Sequence, residues 1–539
     1  MVQDKKTAEF FATQQRDISV SEFFEKNKHL LGFDNPTKAL LMVVKEAVDN
    51  SLDACEEARI LPDIKIKIKT KDNEVYTISV EDNGPGIVKE QIPKIFGKLL
   101  YGSKFHKLSQ SRGQQGLGIS SSVLYSQLTT GHASRIYSRT GSSTKTHLIH
   151  MRLDTMKNEA EITKEEILSE GDRNSMKNSG TRFEADVIGR YRKSQGVDEY
   201  LEQTAVANPF AKIEYQSPDG TELNFSRAVN ELPKEPKEMK PHPYGVELGI
   251  LMRMLKNTKS RSISNFLQNE FSSVGSTSAN EVVKISKIDE KKSPHDFDRD
   301  ESEKLLKAMQ KVKIQRPPLD CLSPIGKDAL EKGLKKLYPN AEFIVSHIRP
   351  PEVYRGNPFI IETAIVYGGD LPKEDSIKII RLANRVPLMF QAGAGAANEA
   401  ITTTAWKRYG LQQSGNGIPS GPAVIIVHMC STWVPFISES KEAVAPYPEI
   451  VKEMKLALQD CGRHLGMYLR KQQKAKQETR RLHIFEDYFP LFIEISKELA
   501  EIKDKIDVRP LIENVINKGL VEDKEIPGEK QSRSSSGED

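Results

Sequence analysis

The segment Lys45-Glu46-Ala47-Val48-Asp49-Asn50-Ser51-Leu52-Asp53-Ala54 carries the most informative pattern in the chain. If it is helical, Glu46, Asn50 and Asp53 fall at i, i+4 and i+7 and share one face. The apolar residues Leu41, Val44, Val48, Leu52 and Cys55 fall on a different face, which we predict to be buried. A carboxylate can orient a water molecule for attack, and an amide oxygen can complete the shell of a hard divalent cation. Taken alone, such a polar face is also typical of a solvated surface.

The composition predicts a multidomain protein. At 539 residues, the length indicates roughly three or four domains. The net charge is only +4, so any contact with nucleic acid has to come from local basic clusters. The four cysteines lack CxxC spacing, which argues against a zinc site or a disulfide framework. No apolar run approaches the roughly 18 residues that cross a membrane, and the N-terminus lacks the apolar core of a secretion signal. We therefore expect a cytoplasmic protein without membrane contact.

A β-hairpin is predicted after the opening helix. Residues 64–69 alternate Ile and Lys, which indicates a strand with one wet face, and residues 75–80 form the returning strand. That strand runs into Glu81-Asp82-Asn83-Gly84-Pro85-Gly86-Ile87, where the glycines let the backbone approach a ligand closely. Asp82 at the strand end can accept a hydrogen bond from an exocyclic amine. The same pattern, Asp-x-Gly-x-Gly, also describes an ordinary turn.

A glycine-rich loop follows, with the sequence Ser111-Arg-Gly-Gln-Gln-Gly-Leu-Gly-Ile-Ser120. Such a loop at a helix N-terminus can hold an anion with free N–H groups and the positive end of the helix dipole. Its glycine order is the reverse of the dinucleotide-binding fingerprint, and residues 97–104 end in Gly-Ser-Lys where a Walker motif requires Gly-Lys-Ser/Thr. A fourth motif, Gly180-Thr181, is a turn into a strand whose threonine hydroxyl can bind a base edge.

These four motifs, in this order, resemble the GHKL or Bergerat-fold ATPases. Three stretches are similar to a narrower family, the B subunits of type IIB DNA topoisomerases: the glycine-rich loop, Tyr101-Gly-Ser-Lys-Phe-His106 and Ser438-Glu-Ser-Lys-Glu-Ala443. The resemblance covers nearly the whole chain. It implies an α+β multidomain fold with a GHKL α/β sandwich, a small helical insert of helix–two-turn–helix type, and a β/α transducer domain with a long C-terminal stalk helix.

The resemblance also implies roles for individual residues. Glu46 would be the general base, Asn50 would hold Mg²⁺, and Asp53 would buttress the site. Asp82 would receive the adenine amino group, with Gly86 and Thr181 beside it. Lys441 would be a switch lysine that reaches the γ-phosphate of ATP. The lid over the phosphates would comprise Ser103, Lys104, Arg112, Gly113, Gln114, Gln115, Gly116, Leu117, Gly118 and Ile119.

Five regions are predicted from composition shifts and the resemblance. They are an N-terminal arm with the ATPase domain at 1–232, a helix–two-turn–helix-like domain at 233–316, a transducer domain with stalk helix at 317–482, a segment that docks to the A subunit at 483–522 and a disordered tail at 523–539. Residues 231–243 carry four prolines and are predicted to be a linker. Two short helices follow, joined by a basic turn in which Lys256, Lys259 and Arg261 suit DNA phosphates. A purely structural insert is the alternative.

Further elements are predicted at both ends of the chain. A short amphipathic helix is expected over residues 19–32, ahead of the opening helix. In the transducer region the pattern becomes β/α again, and strands are expected at 341–347, 359–367 and 423–430. A long helix is expected to begin near Pro448.

Several later stretches allow two interpretations. The acids in His295-Asp-Phe-Asp-Arg-Asp-Glu301 suit the start of a helix better than a nuclease metal cluster, which leaves no convincing cleavage centre. Trp406-Lys-Arg-Tyr409 can contact DNA or pack on the stalk helix, and the basic residues of 470–481 can face DNA or solvent. The apolar, helical stretch 483–517 suits docking to another subunit, or packing on its own chain.

The resemblance implies that ATP closes two copies of the chain as a gate around double-stranded DNA. A separate A subunit would cut and rejoin both strands, in an A2B2 heterotetramer that relaxes supercoils and decatenates DNA. Two other classes stay open from the residues alone. One is a different GHKL ATPase, of mismatch-repair or chaperone type, and the other is a non-catalytic DNA-binding scaffold.

Overall fold

The computed structural model describes residues 18–102, 107–113, 116–141, 143–438, 440–500, 507 and 510. The chain divides into two compact units, Met1–His464 and Leu465–Asp539. The first unit contains two sheets and a helical module, and it is the unit that holds the predicted site. Ser103, Lys104, Gln114 and Gln115 of the predicted lid, the first residues of the arm, and the predicted tail lie outside the described residues.

The described helices are α1 (Val20–Lys26), α2 (Pro36–Glu57), α3 (Ile92–Gly97), α4 (Gly118–Thr130), α5 (Val197–Ala207), α6 (Leu248–Asn257), α7 (Ile263–Glu270), α8 (Ser276–Ser286), α9 (Arg299–Lys311), α10 (Lys327–Leu337), α11 (Gly395–Thr402) and α12 (Pro448–Leu499). The predicted helix over 19–32 is wrong in its extent, because α1 ends at Lys26 and a separate 3₁₀ turn follows at Lys28–Leu31. Gly32 ends that turn in the left-handed region, at φ 80°.

The first sheet has eight strands: β1 (Asp63–Asp72), β2 (Val75–Glu81), β3 (Ser134–Arg139), β4 (Thr146–Asp154), β5 (Glu159–Leu168), β6 (Gly180–Ile188), β7 (Lys212–Gln216) and β8 (Glu222–Phe225). Their spatial order is β5-β4-β3-β6-β2-β1-β7-β8. The predicted hairpin is confirmed, since β1 and β2 pair antiparallel. Its isoleucines Ile64, Ile66 and Ile68 are buried while the lysines between them are exposed.

Helix α2 lies on this sheet and anchors its core. Asn35 caps the helix by accepting a hydrogen bond from the backbone N–H of Lys38 at 2.8 Å, and Pro36 supplies the preset φ of the first turn. The predicted apolar face is confirmed, because Leu41, Val44, Val48, Leu52 and Cys55 are all buried. Helices α4 and α5 contribute to the same core, which gives the predicted α/β sandwich.

Helices α6 to α9 form a module with its own apolar core. The interpretation of the acidic stretch before α9 is confirmed. Asp298 caps the helix by accepting from the N–H of Glu301, and the Glu301 carboxylate accepts from the N–H of Asp298 in return. This reciprocal pair is a capping box, so the acids serve the helix start. Among the described residues, no group of three or more His, Cys, Asp or Glu side chains suits a metal ion.

The second sheet has six strands: β9 (Phe343–Ile348), β10 (Glu352–Tyr354), β11 (Asn357–Tyr367), β12 (Lys378–Ala383), β13 (Val386–Pro387) and β14 (Ala423–Ser431). Strand β11 pairs antiparallel with β9 and β14, and β12 pairs parallel with β14. Strands β9, β11 and β14 were predicted, whereas β12 and β13 were not. Helix α12 begins at Pro448, as predicted, and continues to Leu499.

The sequence allowed two roles for the Trp406–Tyr409 motif, contact with DNA or packing on the stalk helix, and the structure shows packing of its two aromatic residues. Trp406 is fully buried, and its indole N–H donates to the carbonyl oxygen of Ile401 at 2.8 Å. Tyr409 lies against Gly462 of α12, where an added Cβ would stand 2.5 Å from the tyrosine ring. The two aromatic residues therefore pack, whereas Lys407 and Arg408 between them are exposed.

The four cysteines are free and buried, in agreement with the prediction that they form no disulfide framework. In the part of the chain that the structure describes, no helix has the length and apolarity to cross a bilayer.

Candidate functional site

A cavity of about 580 Å³ opens between α2, the end of β2, the start of β6 and the start of α4. Its lining contains every residue predicted for the ATP site that the structure describes, except Arg112. These residues are Glu46, Asn50, Asp53, Asp82, Gly86, Gly113, Gly116, Leu117, Gly118, Ile119, Thr181 and Lys441. The cavity therefore gathers the four motifs of the first domain and one loop that precedes α12.

Asp82 lies at the base of this cavity and is buried. Its carboxylate accepts hydrogen bonds from the backbone N–H of Gly84 at 2.9 Å, the hydroxyl of Ser51 at 3.0 Å and the N–H of Thr181 at 3.1 Å. Burial raises the pKa of Asp82 to about 6, although these three hydrogen bonds oppose the increase. The carboxylate is thus held in one orientation and is suited to receive an amino group.

Gly86 permits the sharp turn that follows Asp82. Its φ is 74°, and an added Cβ would stand 2.2 Å from the backbone oxygen of Arg139. Both the conformation and the space require glycine here. The backbone of this turn consequently forms a smooth wall of the cavity.

Glu46 of α2 lies on the wall of the cavity, close to the start of α4. An added Cβ at Gly118 would stand 1.7 Å from Oε2 of Glu46, so the glycine allows the loop to approach the carboxylate. On the other side, Nζ of Lys45 lies 3.6 Å from Oε1 of Glu46 and 2.9 Å from Oδ2 of Asp49. Burial of Lys45 opposes its charge, but Asp49 and Glu46 together raise its pKa. Lys45 was not predicted as a site residue, and its ammonium group pairs with the carboxylates of both Glu46 and Asp49.

Asn50 is exposed and lines the cavity one helical turn from Glu46. The amide oxygen of Asn50 can supply one ligand to Mg²⁺, an ion that keeps several waters and takes further ligands from substrate phosphates. The residues present therefore fit a magnesium ion that arrives with a nucleotide.

Lys441 reaches the cavity from the loop between β14 and α12, and burial lowers the pKa of its ammonium group. Its Nζ lies 3.5 Å from the carbonyl oxygen of Arg112. The backbone of Lys441 is left-handed, with a φ of 54°, which is uncommon for a lysine. The neighbouring Glu442 pairs with Lys38 of α2 and thereby fixes this loop to the helix that carries Glu46.

Arg112 has contacts that the sequence did not reveal. Its guanidinium is buried and donates to Oδ1 of Asp53 at 2.7 Å and to Oε1 of Glu56. Burial opposes its charge, but Glu56 and Asp53 raise its pKa. Its side chain thus binds the last turns of α2 and not the cavity. Glu56 was missed because only the fold brings it close to residue 112.

The three basic residues proposed for DNA contact lie where α6 leads into α7: Lys256 in the last turn of α6, and Lys259 and Arg261 in the connection that follows. Lys256, Lys259 and Arg261 are all exposed. Thr258 within this turn is buried and donates its hydroxyl to Glu270 at 2.7 Å, which holds the turn in place. The arrangement presents three cations on one rigid connection.

Comparisons with known proteins agree with this geometry. Residues 35–157 match the family described as histidine kinase-, DNA gyrase B-, and HSP90-like ATPase. Residues 317–481 match the family described as topoisomerase VI B subunit, transducer. The first match contains α2, the Asp82 turn and the glycine-rich loop, and the second contains Lys441.

Curated relatives resemble the chain over nearly its whole length. The B subunit of type 2 DNA topoisomerase 6 from Methanosarcina barkeri is 46% identical over 518 residues, which cover 95% of this chain and 82% of that protein. The protein of the same name from Methanococcoides burtonii is 47% identical with the same coverage. That of Archaeoglobus fulgidus is 46% identical and covers 91% of this chain and 80% of that protein.

The solved 43K ATPase domain of Thermus thermophilus gyrase B gives a TM-score of 0.37 over 86% of this chain and 98% of that chain, at 13% identity. Both the TM-score and the identity are too low for this similarity to support an argument. The extensive identity with the curated relatives, by contrast, agrees with the predicted resemblance and with both matched domains. The chain belongs to the family of B subunits of type 2 DNA topoisomerase 6, the ATP-dependent subunits of type IIB topoisomerases.

Proposed function

We propose that this chain binds and hydrolyses ATP through the residues of the cavity, and that ATP closes two copies of it around double-stranded DNA. The observation that carries the proposal is the convergence of Glu46, Asn50, Asp82 and Lys441 on one cavity. These residues come from three separate parts of the chain, and together they supply a base, a metal ligand, an adenine acceptor and a cation.

Glu46 acts as the general base of the reaction. Its carboxylate takes a proton from the water that attacks the γ-phosphorus, and the bond between that phosphorus and the β,γ-bridging oxygen breaks. Lys45 and the close approach of Gly118 hold the carboxylate in place. A Mg²⁺ ion held by Asn50 would neutralise charge on the phosphates. Positioning and charge neutralisation contribute most of the rate in reactions of this class.

Lys441 reports whether the γ-phosphate is present. A lysine ammonium binds a phosphate as a point charge. Because Lys441 belongs to the loop that leads into α12, loss of its phosphate partner changes the restraint on that helix. The nucleotide state is then coupled to the movement of α12.

A separate A subunit cuts and rejoins the DNA in this proposal. The second unit offers a docking surface for it on α12, where the exposed apolar residues Tyr488, Leu491, Phe492, Ile495 and Leu499 recur at helical spacing. Such a stripe suits burial against a partner. Two copies of each chain would form the assembly, which acts on cytoplasmic DNA.

Basic side chains on the helical module bind the DNA backbone in the closed assembly. Lys256, Lys259 and Arg261 are exposed, and point charges on a fixed turn suit phosphates. Their contribution would depend on salt and not on DNA sequence.

The size of the purified full-length chain tests the proposal. A dimer is expected with a non-hydrolysable ATP analogue and Mg²⁺, and a monomer is expected with ADP. A monomer under both conditions would contradict the gate. Asp82→Asn is the matched control, because it should remove the analogue-dependent dimer by removing nucleotide binding.

A further inference from the structure

The hairpin between β12 and β13 has an unusual turn. Ala383 pairs with Val386, so Asn384 and Arg385 are the two central residues. Both are left-handed, with φ values of 48° and 66°. A two-residue turn of this kind favours Asn followed by Gly, because both central residues need positive φ. Asparagine meets that preference, and arginine at the second position does not.

The side chain of Arg385 adds a second cost. It is buried, and its Nη2 donates to Oε2 of Glu56 at 2.7 Å. Within the described part of the chain, neither Nε nor Nη1 of this guanidinium has a hydrogen-bond partner. A backbone outlier and a partly unsatisfied buried cation at one residue persist only when the surroundings require them. The contacts of the Arg385 side chain therefore offset these two costs.

Glu56 joins Arg385 to the root of the glycine-rich loop. One oxygen of its carboxylate accepts from Arg385 and the other accepts from Arg112. Next to this pair, the Asn384 amide donates to the carbonyl oxygen of Ser111 at 3.1 Å. The tip of the hairpin is thus connected to the two residues that precede Gly113.

The turn itself is rigidly held from the second sheet. The N–H of Arg385 donates to Nε2 of His428 at 3.0 Å, and Nδ1 of His428 lies 2.6 Å from Oε2 of Glu362. His428 and Glu362 are fully buried. Since Nε2 accepts, the proton of the neutral ring is on Nδ1 and is donated to the carboxylate. Backbone N–H groups of Ile325 and Gly326 complete the shell of Glu362 at 2.9 and 2.8 Å.

We infer that Arg385 is a positioning residue for ATP hydrolysis, which acts through Glu56 and Arg112 on the root of the glycine-rich loop. The inference rests on the proposed function. Arg385 does not line the cavity, so it positions the loop without touching the nucleotide. It provides a connection between the second sheet and the lid that is separate from Lys441.

The substitution Arg385→Gly separates positioning from folding. Glycine removes the side chain and accepts the left-handed backbone without strain, and Glu56 keeps Arg112 as its partner. We expect kcat for ATP to fall about tenfold, because small misplacements of a loop at a reacting centre have effects of this size. The Kd for ADP should stay within about twofold, because Asp82 and its neighbours are untouched.

The control is Lys378→Met in strand β12, which leads into the same turn. Nζ of Lys378 bonds Glu202 of α5 at 2.9 Å, so this ion pair also links the second sheet to the first domain but lies away from the loop. It should leave kcat unchanged, while Arg385→Lys should restore part of the activity lost in Arg385→Gly. An unchanged kcat in Arg385→Gly, or a joint loss of thermal stability and ADP affinity, would overturn the inference. Absence of ATP hydrolysis by the wild-type chain would instead overturn the proposed function, and this inference with it.

Discussion

Nζ of Lys441 lies 3.5 Å from the carbonyl oxygen of Arg112, which joins the loop before α12 to the root of the glycine-rich loop. This contact spans the two regions that match separate protein families. A bound γ-phosphate would compete with the Arg112 carbonyl for the same ammonium group. In the proposed function, the Arg112 carbonyl is thus an alternative partner for Lys441 once the phosphate has left.

Substitution of Lys441 tests this exchange. Lys441→Met should lower kcat about 100-fold, a loss typical for removal of one charged group from a transition state, while the Kd for ADP stays nearly constant. Steady-state ATP hydrolysis and ADP titration measure the two quantities. Lys452→Met, at an exposed position of α12, is the control and should behave as wild type. Equal losses in ADP affinity and kcat would contradict a role specific to the γ-phosphate.

Glu46→Gln tests the general base. The amide keeps the shape of the side chain but cannot take the proton, so kcat should fall at least about 100-fold. Binding of the non-hydrolysable analogue, measured by calorimetry, should persist. Glu90→Gln at an exposed position serves as the control. If Glu46→Gln hydrolyses ATP at the wild-type rate, another group activates the water.

Nucleotide binding should weaken in acid because of Asp82. Burial raises its pKa to about 6, so the carboxylate that we propose as acceptor of the adenine amine becomes protonated as the pH falls through about 6. At about pH 5 the affinity for ADP should be about tenfold below its value at about pH 8, because one unit of pKa corresponds to a tenfold change in population. The effect of Asp82 on folding has the opposite sign. Because its folded-state pKa is raised, the free energy of unfolding decreases as the pH rises from about 4 to 6 and is constant above about pH 6.

The phosphates of ADP titrate in the same pH range as Asp82. The variant Ser51→Ala shows which of the two groups causes the pH dependence of ADP binding. Ser51 donates to Asp82 at 3.0 Å, and this hydrogen bond lowers the pKa of the carboxyl group. Its removal should move the midpoint of ADP binding to higher pH, whereas phosphate titration stays where it is. Identical pH profiles for Ser51→Ala and wild type would assign the effect to the nucleotide.

Neighbouring substitutions in the Trp406–Tyr409 motif should differ in their effect on the stability of the fold. Trp406→Ala should lower the free energy of unfolding by about 3–5 kcal/mol, because it empties a fully buried site. Alanine at both Lys407 and Arg408 should leave the thermal midpoint unchanged, since these side chains are exposed. Thermal unfolding measures both. A similar loss in the two variants would mean that the cations also support the fold.

The stripe on α12 predicts loss of partner binding without loss of catalysis. Leu491→Asp combined with Phe492→Asp should abolish co-purification with the DNA-cleaving partner, because burial of two charges against an apolar surface is costly. ATP hydrolysis by the isolated chain should not change. Lys474→Asp on the same helix, at an exposed position, is the control. Retained assembly would place the contact elsewhere.

Local periodicity explains what was predictable in this fold. The apolar face of α2 and the alternation in β1 are short-range patterns, and both were confirmed. Strand β5 was missed because it lies at the edge of the sheet, where most of its charged residues are exposed and no alternation is visible. Strand β12 was missed because Lys378 and Arg381 interrupt its apolar residues, so it shows neither strict alternation nor a continuous apolar run.

Some residues of the candidate site were likewise predictable from local patterns, and others were not. Glu46, Asn50 and Asp82 were identified because motifs place them at fixed spacing within one element or turn. Glu56 and Arg385 are 329 positions apart, and no local pattern connects them. The left-handed backbone of Arg385 distinguishes it from most other arginines, and this conformation can be read only from the structure.

The buried cysteines make the chain convenient for optical measurement of its motions. Cys55, Cys321, Cys430 and Cys461 are all inaccessible, and burial raises the pKa of Cys321 to about 11 and of Cys461 to about 12. Thiols of this kind react slowly with maleimide dyes. A single cysteine introduced on the surface would accordingly carry a fluorophore in the otherwise native sequence, so that opening and closing of the proposed ATP-bound dimer can be followed by energy transfer.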